Sequence, residues 1–255
     1  MSVLFTAIGL AVGAFAAHGA EALLAKRALS RPYCPYCQVE RSPWQWSVTA
    51  ALISGRWRCR ACDQPLRWPH LAAEMLLAAG WGGMMARHGV SLRSLLAMVA
   101  MVPLIMVIVT DLERKLIPNA LMLPSIGAML GLGLILGPVV PGLTLTAWWH
   151  VPLGGLIGFF VFWGLALLGG AVFGEGALGA GDVKLAAYVG LVVGFPLVIE
   201  ALMLTFFLGG AGALLFILMR RGSLRTAIPY GPFLVLGALV TILFGLDILH
   251  WYLAL

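Results

Sequence analysis

An all-α membrane protein of about eight transmembrane spans is the fold this sequence predicts, and three observations predict it. Hydrophobic residues make up 62% of the chain and charged residues only 10%, where soluble domains carry roughly 25%. Mean hydropathy is +1.01. The apolar residues fall in runs of about 20 without alternation, the length that crosses a bilayer as a helix. Lipid offers no partner to backbone N–H and C=O groups, so spans must be helices or a closed barrel, and runs without alternation exclude the barrel.

In order along the chain, the spans fall near residues 3–25, 70–87, 93–110, 116–137, 152–173, 183–200, 201–219 and 230–253. No Lys or Arg precedes Lys26 and no small-residue cleavage site stands out, so the first run reads as a retained helix rather than a removed signal peptide. A polar stretch, 26–69, separates it from the others, which gives three units: 1–25, 26–69 and 70–255. Between the sixth and seventh spans, Gly194-Phe195-Pro196 reads either as a tight turn or as a kink in one longer element.

Cations set the orientation. Lys26, Arg27, Arg31, Arg41, Arg56, Arg58, Arg60 and Arg67 lie between the first two spans, Arg114 and Lys115 follow the third, Lys184 opens the sixth, and Arg220, Arg221 and Arg225 precede the last. These are fourteen of the sixteen Lys and Arg residues; only Arg87 and Arg93 fall on the other side. The cation-rich side is the cytoplasm and both termini lie outside. The net charge of +6 therefore reflects topology, which speaks against nucleic-acid binding and for attraction to anionic lipid.

All four cysteines fall in the polar stretch, as Cys34-Pro35-Tyr36-Cys37 and Cys59-Arg60-Ala61-Cys62, two CxxC knuckles with 21 residues between them. Each turn presents two thiolates and a tetrahedral Zn(II) takes four, so the spacing predicts one structural zinc with no position left for water. Two disulfides or free thiols are the alternative; a reducing cytoplasm disfavours the first, and neighbouring basic residues favour ionised thiols.

Two aspartates carry the chemistry. Asp111 ends the apolar run of the third span, and Asp182 closes Gly179-Ala180-Gly181-Asp182 at the start of the sixth, on the same membrane side. A carboxylate at a helix centre costs about 2.5–3.5 kcal/mol on insertion scales and less near the interface, so the pair asks for a reason. Two carboxylates brought close share a proton, and one then acts as base toward water while the other polarises a carbonyl. Gly179 and Gly181, lacking side chains, let a substrate backbone or partner helix approach Asp182. The ordinary readings are an interfacial Asp111 paired with Arg114 or Lys115, and an Asp182 that caps its helix with Lys184 nearby.

Four motifs in order carry a resemblance: the CxxC pair; Asp111-Leu112-Glu113-Arg114-Lys115-Leu116-Ile117-Pro118-Asn119; Gly179-Ala180-Gly181-Asp182-Val183-Lys184; and Ile228-Pro229-Tyr230-Gly231-Pro232-Phe233. Together they resemble the type IV prepilin peptidases, membrane aspartyl proteases of the GxGD type, over nearly the whole chain. The resemblance implies an endopeptidase of the bacterial inner membrane that removes the basic leader of type IV prepilins or type II secretion pseudopilins after a glycine, at the cytoplasmic face. It makes Asp111 and Asp182 the catalytic pair, 26–69 a zinc domain associated with methyl transfer, and 70–255 the peptidase domain. Pro229 and Gly231 fall in a motif that shapes the site. Many members also methylate the new N-terminus with S-adenosylmethionine. Here the N-terminal pattern departs: Gly13-Ala14-Phe15-Ala16-Ala17-His18-Gly19-Ala20-Glu21 lacks the family's asparagine and arginine, and Trp44-Gln45-Trp46-Ser47-Val48-Thr49 alters its second pattern. These departures bear on methyl transfer and leave the peptidase motifs untouched.

Glu113, Glu175 and Glu74 are candidates to attract a basic leader, although for each the favoured reading is an ordinary interfacial carboxylate; His18 reads as a packed residue. Small-residue spacings at Gly133–Gly137, Gly154–Gly158 and Gly190–Gly194 suggest close helix packing. The competing readings are a transporter, which lacks an inverted repeat of broken helices, and a silent pilus-assembly factor, against which stand both aspartates and both glycines.

Overall fold

A computed structural model describes residues 1–26, 31–34, 36–141, 143, 147–173, 178–219 and 229–254. Arg27, Glu175, Arg220, Arg221, Arg225 and Ile228, named above, lie outside the described residues. Among the described residues the α-helices are α1 (Ser2–Leu24), α2 (Val48–Ile53), α3 (Trp68–His88), α4 (Leu92–Arg114), α5 (Asn119–Leu136), α6 (His150–Phe173), α7 (Ala180–Val193), α8 (Leu197–Leu218) and α9 (Gly231–Leu253), and the cysteine loop between α1 and α3 is mostly turns and extended backbone. Every helix except the short α2 corresponds to a predicted span. By length and composition, α1, α4, α5, α6, α8 and α9 are able to cross a membrane. The other two depart for different reasons. α3 carries His70, Glu74 and Arg87, and α7 is only 14 residues long and buried along most of its length.

The end signals are local. Ser91 caps α4 by accepting from the Ser94 N–H at 3.0 Å, and Pro69 and Pro232 sit in the first turns of α3 and α9, where no N–H is missed. The doubtful boundary resolves as a turn: α7 stops at Val193, Gly194 takes φ +71°, and α8 begins at Leu197. The break thus falls several residues before the expected edge at 200, because Gly194 supplies the left-handed conformation that ends a helix.

Packing places the functional ends. α6 and α7 approach through Gly154, Gly158 and Gly190, where an added Cβ would overlap the carbonyl oxygens of Gly190, Ala186 and Gly154. α7 is tied to α4 by the Tyr188 hydroxyl, which donates to the Ala100 carbonyl at 3.0 Å with Tyr188 fully buried. The Trp81 indole N–H of α3 reaches the Met98 carbonyl of α4, also at 3.0 Å. α4 therefore lies at the centre, with the end of α4 and the starts of α3, α7 and α9 at one end of the bundle.

Candidate active site and metal centre

Asp111 stands in the last turn of α4, where the helix end carries partial negative charge and a carboxylate is poorly placed. Another helix compensates. The Gly231 N–H, at the first residue of α9, donates to Asp111 Oδ2 at 3.1 Å across 120 sequence positions. Asp182 sits in the first turn of α7, where the positive end of its own helix favours a carboxylate. Each carboxylate thus meets the positive end of a helix. Asp111 is buried and Asp182 partly exposed; Asp111 lies within electrostatic reach of Asp182, and Asp182 of Tyr230.

The glycines permit this approach. A Cβ at Gly231 would lie 2.7 Å from Asp111 Oδ2, and one at Gly181 would lie 2.9 Å from Ile117 Cβ. Gly181 therefore lets α7 start against the segment that follows Asp111. Gly179 caps α7: its carbonyl accepts from the Asp182 N–H at 3.0 Å, and a Cβ there would meet Asp182 Oδ2 at 3.3 Å. Pro229 lies two residues before Gly231. Sequence reasoning quoted Tyr230 within its motif but gave it no role. In the fold it packs against Phe162 and Phe233, with ring centroids at 5.9 and 6.2 Å, and stands beside Asp182. Lys184, expected near Asp182, donates instead to Asn119 Oδ1 at 2.6 Å and joins α7 to α5.

The cysteine loop lies at the same end of the bundle. Its two knuckles are built alike. Cys34 N–H bonds the Val39 carbonyl and Cys59 N–H the Gln64 carbonyl, both at 2.9 Å; Gln38 and Asp63, the residues after each second cysteine, take φ +59° and +54°. The sulfurs pair across knuckles, Cys34 with Cys62 at 3.6 Å and Cys37 with Cys59 at 3.7 Å. A disulfide would bring them to about 2.05 Å. A tetrahedral ion with sulfur bonds of about 2.3 Å puts its ligands about 3.8 Å apart, so the four thiols match a metal and not a bridge. Backbone N–H groups of Ala61 and Cys62 hold the Cys59 thiol down at about 6. Cys62 is pushed up to about 12: the Gln64 backbone favours its thiolate, but desolvation and the other three sulfurs outweigh it. A cation held among the four sulfurs would favour their ionised forms.

Of the other acidic residues, Glu74 is fully buried. It accepts from Ser47 Oγ at 2.7 Å and from the N–H groups of Val48 and Thr49 at 2.6 and 2.9 Å, so it caps α2 and is not exposed to a substrate. Glu113 pairs with Arg67 at 2.8 Å. Glu21, Arg67 and His70, which meet Glu113 here, were not singled out from sequence; the one available signal was Glu21 within an otherwise apolar span.

Residues 96–214 match the model of the type IV leader peptidase family. Among curated relatives, the chain is 30% identical to a prepilin leader peptidase/N-methyltransferase of Aeromonas hydrophila, over 88% of this chain and 74% of that protein. Proteins of the same name from Legionella pneumophila and Bacillus subtilis (strain 168) are 29% and 28% identical, over 76% and 85% of their lengths and 88% and 87% of this chain. No solved structure matches the chain.

Proposed function

The chain belongs to the type IV leader peptidase family, and from that premise we propose that it is a membrane aspartyl endopeptidase with Asp111 and Asp182 as its catalytic pair. One observation carries the reading: helix packing brings two carboxylates 71 positions apart to one end of the bundle, each against a helix N-terminus. Close carboxylates titrate as a unit and hold one proton between them. The ionised member takes a proton from water as that water attacks the scissile carbonyl, and the protonated member donates a hydrogen bond to the carbonyl oxygen. The Gly231 N–H fixes Asp111 in orientation, and partly exposed Asp182 gives the water its approach.

The substrate is a type IV prepilin or pseudopilin, cut after a glycine that ends its basic leader. The leader stays in the cytoplasm and the following apolar helix lies in the bilayer. A helix of 14 residues is about 21 Å long, shorter than the roughly 30 Å of hydrocarbon, so α7 does not cross it as a full span. A site at the cation-rich end of the bundle suits a bond at the junction of a polar leader and an apolar helix. The cation-rich end faces the cytoplasm of the inner membrane, 70–255 is the peptidase unit, and 26–69 is a loop closed by structural Zn(II) on Cys34, Cys37, Cys59 and Cys62. N-methyl transfer from S-adenosylmethionine to the new N-terminus is assigned to 1–25 and 26–69.

The test is a purified protein in detergent with a prepilin, with and without S-adenosylmethionine, read by product mass. Loss of the leader should fall by about 10³-fold or more in Asp111→Asn and in Asp182→Asn, with the double variant no worse than either. Leader loss that survives either change removes the catalytic assignment. A gain of one methyl on the cleaved product supports the second activity; no gain leaves a peptidase alone.

A further inference from the structure

Where the cysteine loop meets the helices lies a second cluster with metal-ligating chemistry. His18 and Glu21 stand three residues apart on one face of α1, and His70 opens α3 opposite them. Among the described residues, one ligand atom from each of these three lies within 4.8 Å of the others. His70 Nε2 is 3.0 Å from Glu21 Oε1, and His18 Nδ1 is 3.8 Å from Glu21 Oε2. Ligands bonded at about 2.0–2.1 Å to a tetrahedral ion stand about 3.3 Å apart, which these two separations bracket.

The ring of His18 is already set for coordination. Its Nε2 lies 2.6 Å from the Trp46 carbonyl, which only accepts, so Nε2 carries the proton and the lone pair of a neutral ring is on Nδ1, facing the cluster. Metal-bound histidines are held in the same way, the far nitrogen donating to a carbonyl or carboxylate. His18 Nδ1, His70 Nε2 and Glu113 Oε1 are buried and make no aligned hydrogen bond; His70 is 1% exposed. Glu113 Oε1 stands 3.8 Å from His70 Nε2, while its other oxygen is held by Arg67 at 2.8 Å. The two unpartnered ring nitrogens thus converge on Glu21, with Glu113 Oε1 behind His70. A cavity of about 270 Å³, lined by His18, Glu21, Arg67 and Glu113, opens next to them with room for water.

We propose that His18, Glu21 and His70 form a second divalent-metal site of Zn(II) type, distinct from the cysteine cluster, with the fourth position left to water from the adjoining cavity. Two imidazoles and a carboxylate suit Zn(II) with an open position, where four thiolates make the closed site nearby. Arg67 pairs with both Glu21 and Glu113 and Arg41 lies within electrostatic reach of Glu21, so what favours a metal is the ligand geometry and the unpartnered ring nitrogens rather than a charge deficit. The site joins α1 to α3, and through His70 and Arg67 it borders Glu113, two residues beyond Asp111 at the end of α4. The competing occupant is a proton: a charged His70 between Glu21 and Glu113 gives a metal-free ion-pair network.

Full-length protein in detergent is stripped of metal, dialysed against Zn(II), and its metal counted per chain by plasma mass spectrometry. About two ions are expected, falling to about one in the double variant His18→Ala and His70→Ala, and to about one in Cys37→Ser with Cys59→Ser. Reloading with Co(II) identifies which ion is lost: the histidine variant should keep sulfur-to-cobalt charge transfer, which also shows that it is folded. Glu21→Gln, which preserves shape, should weaken the second ion by about tenfold or more. One ion per chain in the parent protein, lost wholly with the cysteines, overturns the proposal in favour of the ion-pair network. Two ions retained without the histidines overturn it as well.

Discussion

The cysteine loop and the aspartate pair bring reactive side chains together by opposite means. In the loop, each knuckle is made within six residues by the same turn, and a sulfur from one knuckle faces a sulfur from the other at 3.6 and 3.7 Å. At the aspartates nothing is local: Asp111 is met by a backbone N–H 120 positions away, and only through contacts that glycines leave open. The loop is assembled by chemistry and the pair by packing. The two should therefore fail differently, one on loss of an ion and the other on addition of a methyl group.

The largest expected effect breaks the loop alone. Structural zinc sites contribute about 10–16 kcal/mol in small zinc peptides at neutral pH, far more than a loop of this size holds in its own packing. Chelation, or Cys34→Ser with Cys37→Ser, should convert the segment between α1 and α3 from slow to rapid proteolysis while helical circular dichroism is retained. If the loop stays protected without metal, its architecture is carried by the Gln45 and Glu74 hydrogen bonds instead.

Next comes a pair of glycine-to-alanine changes that sharpen the contrast. Gly231→Ala should lower leader cleavage by about 10²-fold, since a displacement near 1 Å at the reacting groups costs that much, with little change in metal content. Gly55 in the loop has open space around it but φ +68°, so Gly55→Ala should cost about 1 kcal/mol of loop stability and leave cleavage unchanged. Equal losses of cleavage in both would mean that the site does not depend on the Asp111–Gly231 approach.

This contrast also explains what could be read from sequence. The CxxC spacing states the cluster because its geometry is local, and apolar run length states the spans because lipid imposes it. The six-to-seven boundary was displaced, since run length is blind to Gly194 taking a left-handed conformation inside an apolar stretch. Asp111 and Asp182 stood out as carboxylates among apolar residues, but that Gly231 supplies a hydrogen bond follows only from packing. The meeting of Glu21 with His70 and Arg67 went unnoticed for the same reason: Glu21 lies on α1 and the other two at the start of α3, and no spacing in the chain announces the contact. Glu74 was seen and given a surface role because a lone carboxylate near a span end looks interfacial; its three hydrogen bonds to the start of α2 depend on the loop folding back.

Smaller effects probe the frame around Asp182. Gly190→Ala places a methyl group against the Gly154 carbonyl, and overpacking of this kind typically costs about 1–3 kcal/mol. Thermal stability in detergent should fall, and cleavage with it to the extent that α7 shifts. Lys184→Met is the mildest change. It removes one hydrogen bond to Asn119 at a solvent-accessible position, worth below about 1 kcal/mol, and takes a cation from beside the motif. Were Lys184 a partner of Asp182, its loss would alter the acidic limb of the pH profile for cleavage. Because the structure gives it to Asn119, cleavage should stay within a few-fold at every pH, and Asn119→Leu should mimic it. A moved acidic limb in Lys184→Met but not in Asn119→Leu would show that the lysine leaves Asn119 for the carboxylate when substrate is bound.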